Sequence, residues 1–376
     1  MSDSVFDFVV IGGGVAGASI AWSLSAHGRV ALLEREAHAG YHSTGRSAAS
    51  YIEGYGDASA RALTRASFDF YTNPPEGFAP TPLVSDRGIL FIAAPGRAEA
   101  VDALAATLSE QGTAYVRDDA ETAMARAPVL RPEFASGSLY DPKALEIDVD
   151  ALLQGYLRGL RRRGGEIYFE AELQAAQRVG SAWRLRAADR TLSCGWLINA
   201  AGAWGDLVAA RCGARPVGLN PLRRTAIIVD APEGRDVSHW PIVMDIDESF
   251  YFKPEAGRLL CSPADETPVA PHDAYADEYD IAVAADRLQT ATTIEVSRVR
   301  RSWAGLRTFA PDRTIVAGPD PDVAGLFWSV GQGGYGVQTA PALGRFVAMS
   351  ILNAGPPSEM DAFGLDPAAL SPSRFR

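Results

Sequence analysis

Glycines 12, 14 and 17 lie in the stretch VVIGGGVAGASIAW, spaced as a phosphate-binding turn requires. Gly12 permits the tight turn, and Gly14, followed by Ala16, lets a pyrophosphate approach the backbone. Gly17 lets the next helix pack closely on the strand. The N-terminus of that helix offers free N–H groups and partial positive charge. Glu34 stands twenty residues after Gly14, with Arg35 beside it. A carboxylate at that place accepts both ribose hydroxyls and disfavours the 2′-phosphate of NADP. The pattern indicates a dinucleotide and does not separate NAD from FAD. A second cluster, GQGGYGVQ, places four glycines between Gly331 and Gly336. One tight turn needs fewer, so close approach of a cofactor ring is expected at Gly333, Gly334, Tyr335, Gly336, Val337 and Gln338.

Two further stretches have the composition of cofactor loops. In STGRSAAS, the residues Ser43, Thr44, Gly45, Arg46, Ser47, Ala48 and Ala49 offer hydroxyls and backbone N–H groups for a pyrophosphate and a ribityl chain. In LINAAGAWGD, a strand runs into small residues, and Gly202 marks another close backbone approach. Leu173, just past a strand expected over residues 166–172, is counted with this set.

The elements that must position these residues follow from periodicity and turn residues. Val5–Ile11 reads as a buried strand, Val15–Ala26 as a helix and Val30–Leu33 as a second strand, which is a βαβ opening. Helices are expected over Ala60–Tyr71, Ala98–Gln111, Asp119–Ala127 and Asp148–Arg163, and from about Tyr335 to Leu352. Strands are expected over Gly88–Ala93, Glu166–Glu172, Trp183–Ala187, Thr191–Cys194, Trp196–Ala200, Arg224–Val229, Ile242–Met244, Phe250–Lys253, Leu259–Ser262, Thr314–Gly318 and Leu326–Val330. The expected fold is a mixed α/β one, a Rossmann-type nucleotide-binding domain interleaved with a β-rich domain. Residues 1–75, 146–219 and 301–376 would form the first, and residues 76–145 and 220–300 the second.

The composition narrows the function. The formal net charge of −11 argues against nucleic acid or an anionic membrane surface as the main partner. The three cysteines form no CxxC pair and the five histidines no HExxH motif, so neither a disulfide framework nor a metal site is expected. The N-terminal stretch lacks the basic flank of a signal peptide, and no run is long and apolar enough to span a bilayer. The chain reads as cytoplasmic.

Together, VVIGGGVAGASIAWSLSAHGRVALLERE, HSTGRSAA, NAAGAW and GQGGYG resemble, in order and over almost the whole length, the family of FAD-dependent D-amino-acid oxidases and dehydrogenases, which includes glycine and sarcosine oxidases. DALLQGYLRG, DESFYFKP and WAGLR resemble its D-arginine dehydrogenase branch most. The resemblance implies non-covalent FAD, with the second glycine cluster against the pyrimidine side of the flavin and the helix from Tyr335 aimed at that edge. It also implies hydride transfer from the Cα of a neutral amine to the flavin, with the imino acid hydrolysing to a keto acid and ammonia. The electron acceptor stays open. On type and place alone, Arg224 in LRRTAIIV and Arg307 in WAGLRTF are ordinary surface or ion-paired arginines. By resemblance they bind the substrate carboxylate, which a guanidinium fork matches. Tyr251 would help clamp that group, Tyr55 would cover the site from a loop, and Gly334 would lie beside it.

The chain departs from the D-arginine branch in its side-chain pocket. Ile89 takes the place of a glutamate that receives a cationic side chain, and Ser50 that of a histidine near the substrate amine. The expected substrate is therefore a D-amino acid with a neutral or apolar side chain. Oxidation of glycine, sarcosine or a 2-hydroxy acid is the alternative, and a nucleotide-binding protein without turnover is a third reading.

Overall fold

The computed structural model describes residues 4–352 and 358–376. Residues 1–3 and 353–357, both assigned by expectation to the first unit, lie outside the described residues. The first sheet has eight strands. Its heart is a run of five parallel strands in the order Glu166–Tyr168, Val30–Leu33, Ser4–Ile11, Arg190–Asn199 and Leu326–Val330. The opening strand Ser4–Ile11 sits between strands reached in opposite directions along the sheet. In such sheets ligands bind beyond the carboxyl end of the strand at that reversal. Here that end runs directly into Gly12, Gly13 and Gly14.

Helices Val15–Leu24, Val149–Arg162 and Gly336–Ile351 cover one face of this sheet. Two glycines let them approach. A Cβ on Gly344 would lie 2.9 Å from the Ser19 backbone, and one on Gly159 would meet the Trp22 ring at 2.4 Å. The helix Val149–Arg162 begins at Asp148, whose side chain accepts from the Ala151 N–H, and ends in arginines, as the helix dipole favours.

The second sheet has nine strands. The chain returns to it three times, through Ile89–Ile92, through Asn220–Val229 to Arg258–Ser262, and through Val299–Phe309. The mixed α/β, interleaved fold class expected from the sequence is the one observed. Several elements differ. The strand Val299–Phe309 was not foreseen, and most of it fell in the expected first unit. It is hydrogen-bonded to Asn220–Val229 of the second sheet along almost its full length. Its sequence, VRRSWAGLRTF, has no apolar alternation, so only the distant partner makes it a strand. The helix Glu278–Ala291 was also missed, because its apolar stripe is confined to small and widely spaced residues. The expected strand over 166–172 stops at Tyr168, and Leu173 opens another strand, Leu173–Val179. A turn with Glu170 at φ 52° separates the two. Thr191–Cys194 and Trp196–Ala200 belong to a single strand, Arg190–Asn199, that pairs along the opening strand.

Candidate active site

A groove of about 220 Å³ starts at the glycine turn, passes the Tyr41–Ala48 loop and the Ala200–Trp204 segment, and ends at Arg224, Tyr251, Arg307 and Gly334. Each conspicuous glycine of the first turn has its own reason. Gly12 has φ 108°, and a Cβ there would lie 2.4 Å from the Ala200 carbonyl oxygen. A Cβ on Gly17 would lie 1.9 Å from the Gly12 carbonyl, so Gly17 serves packing and does not line the groove. Gly14 differs from both. Its φ is −71°, and the only nearby atom a Cβ would meet is the Thr44 hydroxyl at 3.2 Å. Backbone conformation does not require glycine there, and a side chain would stand in the groove.

Glu34 is 6% exposed and lines the groove. Its carboxylate accepts from the Gly13 N–H at 2.7 Å and the Glu36 N–H at 2.9 Å, which fixes its direction and leaves lone pairs for a diol. Thr44 accepts from the Val15 N–H at 3.0 Å, at the first turn of the helix. Arg35 lies over the Trp204 ring, 4.9 Å from its centroid, and His42 packs on the same ring at 4.5 Å. Ala16, Ser43, Ser47, Ala48, Leu173, Gly202 and Val337 also line the groove. Trp204, Tyr41 and His42 line it too and were missed. Trp204 stands inside the NAAGAW segment, and an aromatic there was the available signal.

Other expected cofactor residues have different duties. Arg46 lines the groove, and its guanidinium donates to the carbonyls of Tyr41, Ala274 and Ala304 and pairs with Asp273 at 2.5 Å. It therefore rivets the loop to the second sheet. Gly45 and Ala49 lie outside the groove lining; a Cβ on Gly45 would meet the Gly40 carbonyl at 2.6 Å.

The second glycine cluster also has an explanation inside the protein. Gly331 and Gly333 have φ of 73° and 52°, a Cβ on Gly333 would strike the Phe309 ring at 2.2 Å, and one on Gly334 would lie 2.9 Å from Arg307 Nη1. Two positions thus serve the backbone, and a third makes room for an arginine. Gly333, Gly334 and Gly336 still border the groove, and the helix Gly336–Ile351 opens there without a side-chain cap on its N-terminus. Tyr335 is turned away, its ring packed edge-on against Tyr55 at 5.2 Å. Gln338 accepts from the Ile52 N–H and donates to Thr64, and it lines the adjoining cavity instead. One residue without a sequence signal is Thr308. It lines the groove, and its hydroxyl is buried with no hydrogen-bond partner among the described residues. Such a group calls for a bound acceptor or donor.

A smaller cavity of about 60 Å³ opens off the end of the groove. Ala48, Arg224, Tyr251, Arg307 and Gly334 line both spaces. The register explains how the two arginines meet. Arg224 is opposite Gly305 in the antiparallel pair, and Arg307 is two residues further on, so both side chains leave the same face on a diagonal. Arg224 donates to the Asp265 carbonyl at 2.8 Å and pairs with Glu266 at 3.2 Å. Arg307 donates to the Tyr55 hydroxyl at 3.1 Å. Burial, and then the like charge of Arg307, push the Arg224 guanidinium below its ordinary value. Glu266 is shared with Arg313, so the pair of cations is under-compensated. Two guanidinium forks with two phenols beside them have the chemistry to receive a carboxylate. The cavity walls are Ile52, Ile242 and Met244, with Ser50 at one side. Ile89 is not among them. It is fully buried in the sheet beneath, paired with Ile242, so the expected contact between its side chain and the substrate is corrected.

The sequence matches the family described as FAD dependent oxidoreductase, DAO, over residues 7–349. Among characterised relatives, FAD-dependent oxidoreductase domain-containing protein 1 of Bos taurus is 30% identical over 178 residues, which is 43% of this chain and 36% of that protein. The chain thus spans about a third of that relative's length. Glycine oxidase from Geobacillus kaustophilus superposes with a TM-score of 0.85 at 21% identity, covering 99% of both chains. L-proline dehydrogenase from P. horikoshii superposes with a TM-score of 0.86 at 18% identity, covering 100% of this chain and 98% of the other. At these identities the superpositions establish the fold.

Proposed function

The chain belongs to the DAO family of FAD-dependent oxidoreductases, and from that premise we propose that it oxidises small α-amino acids at Cα, taking D-amino acids whose side chains carry no positive charge. The observation that carries this reading is the convergence of Arg224, Arg307, Tyr55 and Tyr251 at the end of the cofactor groove. Bound FAD supplies the two-electron acceptor for the Cα–H. The residues present suit that cofactor: an acid for the ribose, a glycine open to the pyrophosphate, and an unpartnered Thr308 hydroxyl further along the groove.

The chain's own contribution is positioning. The two guanidinium forks would fix the substrate carboxylate, and Tyr55 would close over it while its hydroxyl stays bonded to Arg307. With the carboxylate held, only one face of Cα is turned to the groove. The cavity residues include no histidine, and their one carboxylate is Glu248, an exposed residue that accepts from the Tyr55 hydroxyl at 3.4 Å. A substrate amine that enters neutral, after losing its proton to water, needs no stronger base. The preference for the D form follows the sequence resemblance to the D-arginine branch. The exclusion of a cationic side chain is supported by the apolar walls Ile52, Ile242 and Met244 in place of Ile89.

The second reading, oxidation of glycine or an N-substituted glycine, is favoured by the cavity's small size of about 60 Å³. Anaerobic titration of the yellow protein with D- and L-amino acids, glycine and sarcosine separates the two. Small uncharged or acidic D-amino acids are expected to bleach the flavin fastest. D-Lys or D-Arg reacting best would overturn the side-chain reading, and bleaching by glycine and sarcosine alone would establish the second. A further expectation concerns Thr308. Thr308→Val keeps the shape and removes the hydroxyl, so affinity of the stripped protein for FAD should fall roughly fivefold, about 1 kcal/mol for one hydrogen bond. Equal dissociation constants by fluorescence titration would show that the hydroxyl faces only protein.

A further inference from the structure

Side chains alternate along a strand, so Lys253 leaves its strand on the same side as Tyr251. Phe252, between them, is buried in the opposite core. Lys253 therefore lines the small cavity, about 7 Å along the strand from Tyr251. Its side chain is only 5% exposed. Two carboxylates pair with it, Glu146 at 2.5 Å and Glu255 at 2.9 Å. Glu146 also accepts from Arg87 Nε at 3.0 Å. Burial works against the charge on Glu146, but Lys253 and Arg87 outweigh it and hold its carboxyl below the ordinary value. An ammonium has three donors, and these carboxylates take two. Ser50 is the cross-strand partner of Glu146 and lines the same cavity. Its hydroxyl has no hydrogen-bond partner among the described residues.

The cavity thus has two sets of polar groups, Arg224 with Arg307 and Lys253 with Ser50, and an apolar belt alongside. The belt is Ile52, Ile242 and Met244. Of the charged residues lining it, three are cationic and Glu248 alone is anionic, placed beside Tyr55 at the clamp. Glu146 does not line the cavity; it holds Lys253 from behind. We propose that Lys253 and Ser50 form a second subsite, which receives a carboxylate at the end of the substrate's side chain, so that short dicarboxylic amino acids of the aspartate and glutamate class are preferred. The proposal rests on the carboxylate-clamp reading of Arg224 and Arg307. The apolar belt would cover the intervening methylenes, and a cationic side chain would be driven toward a buried ammonium.

Non-reactive acids test this apart from turnover. The FAD-loaded protein is titrated with succinate and glutarate, with butyrate as the single-carboxylate control, following the flavin spectrum. One charge-assisted hydrogen bond predicts that a diacid binds about 10- to 100-fold tighter than butyrate. Lys253→Met keeps the stem and leaves Glu146 with Arg87. It should abolish the difference while moving butyrate affinity by less than about threefold. Ser50→Ala should weaken diacid binding roughly fivefold with butyrate unmoved, and this variant decides if Lys253→Met does not fold. Equal affinities for diacid and butyrate in the unaltered protein, or a preference that survives both substitutions, overturn the subsite and leave the clamp standing. Failure of butyrate and diacids alike to perturb the flavin overturns the clamp and the subsite with it.

Discussion

Replacing Arg307 by methionine is expected to lower kcat/KM for the best amino acid by about 10²- to 10³-fold, with a smaller loss of thermal stability than Arg224→Met. The first half follows from what the guanidinium would do. Truncating one member of a buried, hydrogen-bonded charge pair costs roughly 2–5 kcal/mol, and each 1.4 kcal/mol is tenfold. The second half follows from what surrounds Arg307 without substrate. Its neighbours in the site are Arg224, a like charge, the Tyr55 and Tyr251 hydroxyls and, more loosely, Glu248, and no ion pair joins it to a carboxylate among the described residues. Burial works against the Arg307 charge, but the Tyr55 and Tyr251 hydroxyls and Glu248 outweigh it and hold the guanidinium above its ordinary value. Arg224 gives the contrast, because its guanidinium also holds the Asp265 carbonyl and Glu266. Arg224→Met should lose comparable activity and lower the melting temperature further. Steady-state kinetics and calorimetry on both variants check this. Unchanged KM and kcat/KM in both would remove the carboxylate clamp from the account.

Gly14→Val is expected to give a folded but colourless protein, with affinity for FAD reduced about 100-fold or more, or about 2.7 kcal/mol. Gly14 already has φ −71°, which valine adopts freely, and the Thr44 hydroxyl is the only atom its Cβ would approach, at 3.2 Å. The rest of the added side chain would occupy the groove. Gly12→Val is the control and should fail differently. Its φ of 108° and the Ala200 carbonyl 2.4 Å from a Cβ make the turn itself impossible, so the opening strand and helix would not dock. The comparison needs circular dichroism and flavin absorbance on each purified variant. A yellow Gly14→Val protein with normal affinity would mean that the pyrophosphate does not pass this turn.

The first half of the site was legible because its determinants are local. Gly12, Gly14, Gly17 and Glu34 all lie on one βαβ unit, where spacing along the chain is spacing in the structure. The second glycine cluster was legible as a close approach but not as to what approaches. At Gly334 it is Arg307, and at Gly333 it is Phe309. Arg46 was counted with the cofactor loop because it stands among the small and hydroxyl residues of STGRSAAS. Besides the nearby Tyr41 carbonyl, its partners Ala274, Ala304 and Asp273 are more than two hundred residues away.

The substrate side shows the division between sequence and tertiary structure most plainly. Residue types alone left Arg224 and Arg307 as ordinary arginines and Tyr251 as an alternating strand residue, and only the family resemblance directed them to a carboxylate. The tertiary structure decided that Arg224 and Arg307 share a face. That outcome depends on a strand register linking residues 83 positions apart, with Gly305 opposite Arg224, and a shift of one residue would have turned Arg307 to the other side. It also decided that Ile89 is a core residue and that Lys253 lines the cavity. Local spacing encodes helices and turns, because their bonds close within a few residues. Sheet register between distant strands is set by the sum of many side-chain contacts across the whole fold, and no single stretch of sequence contains it.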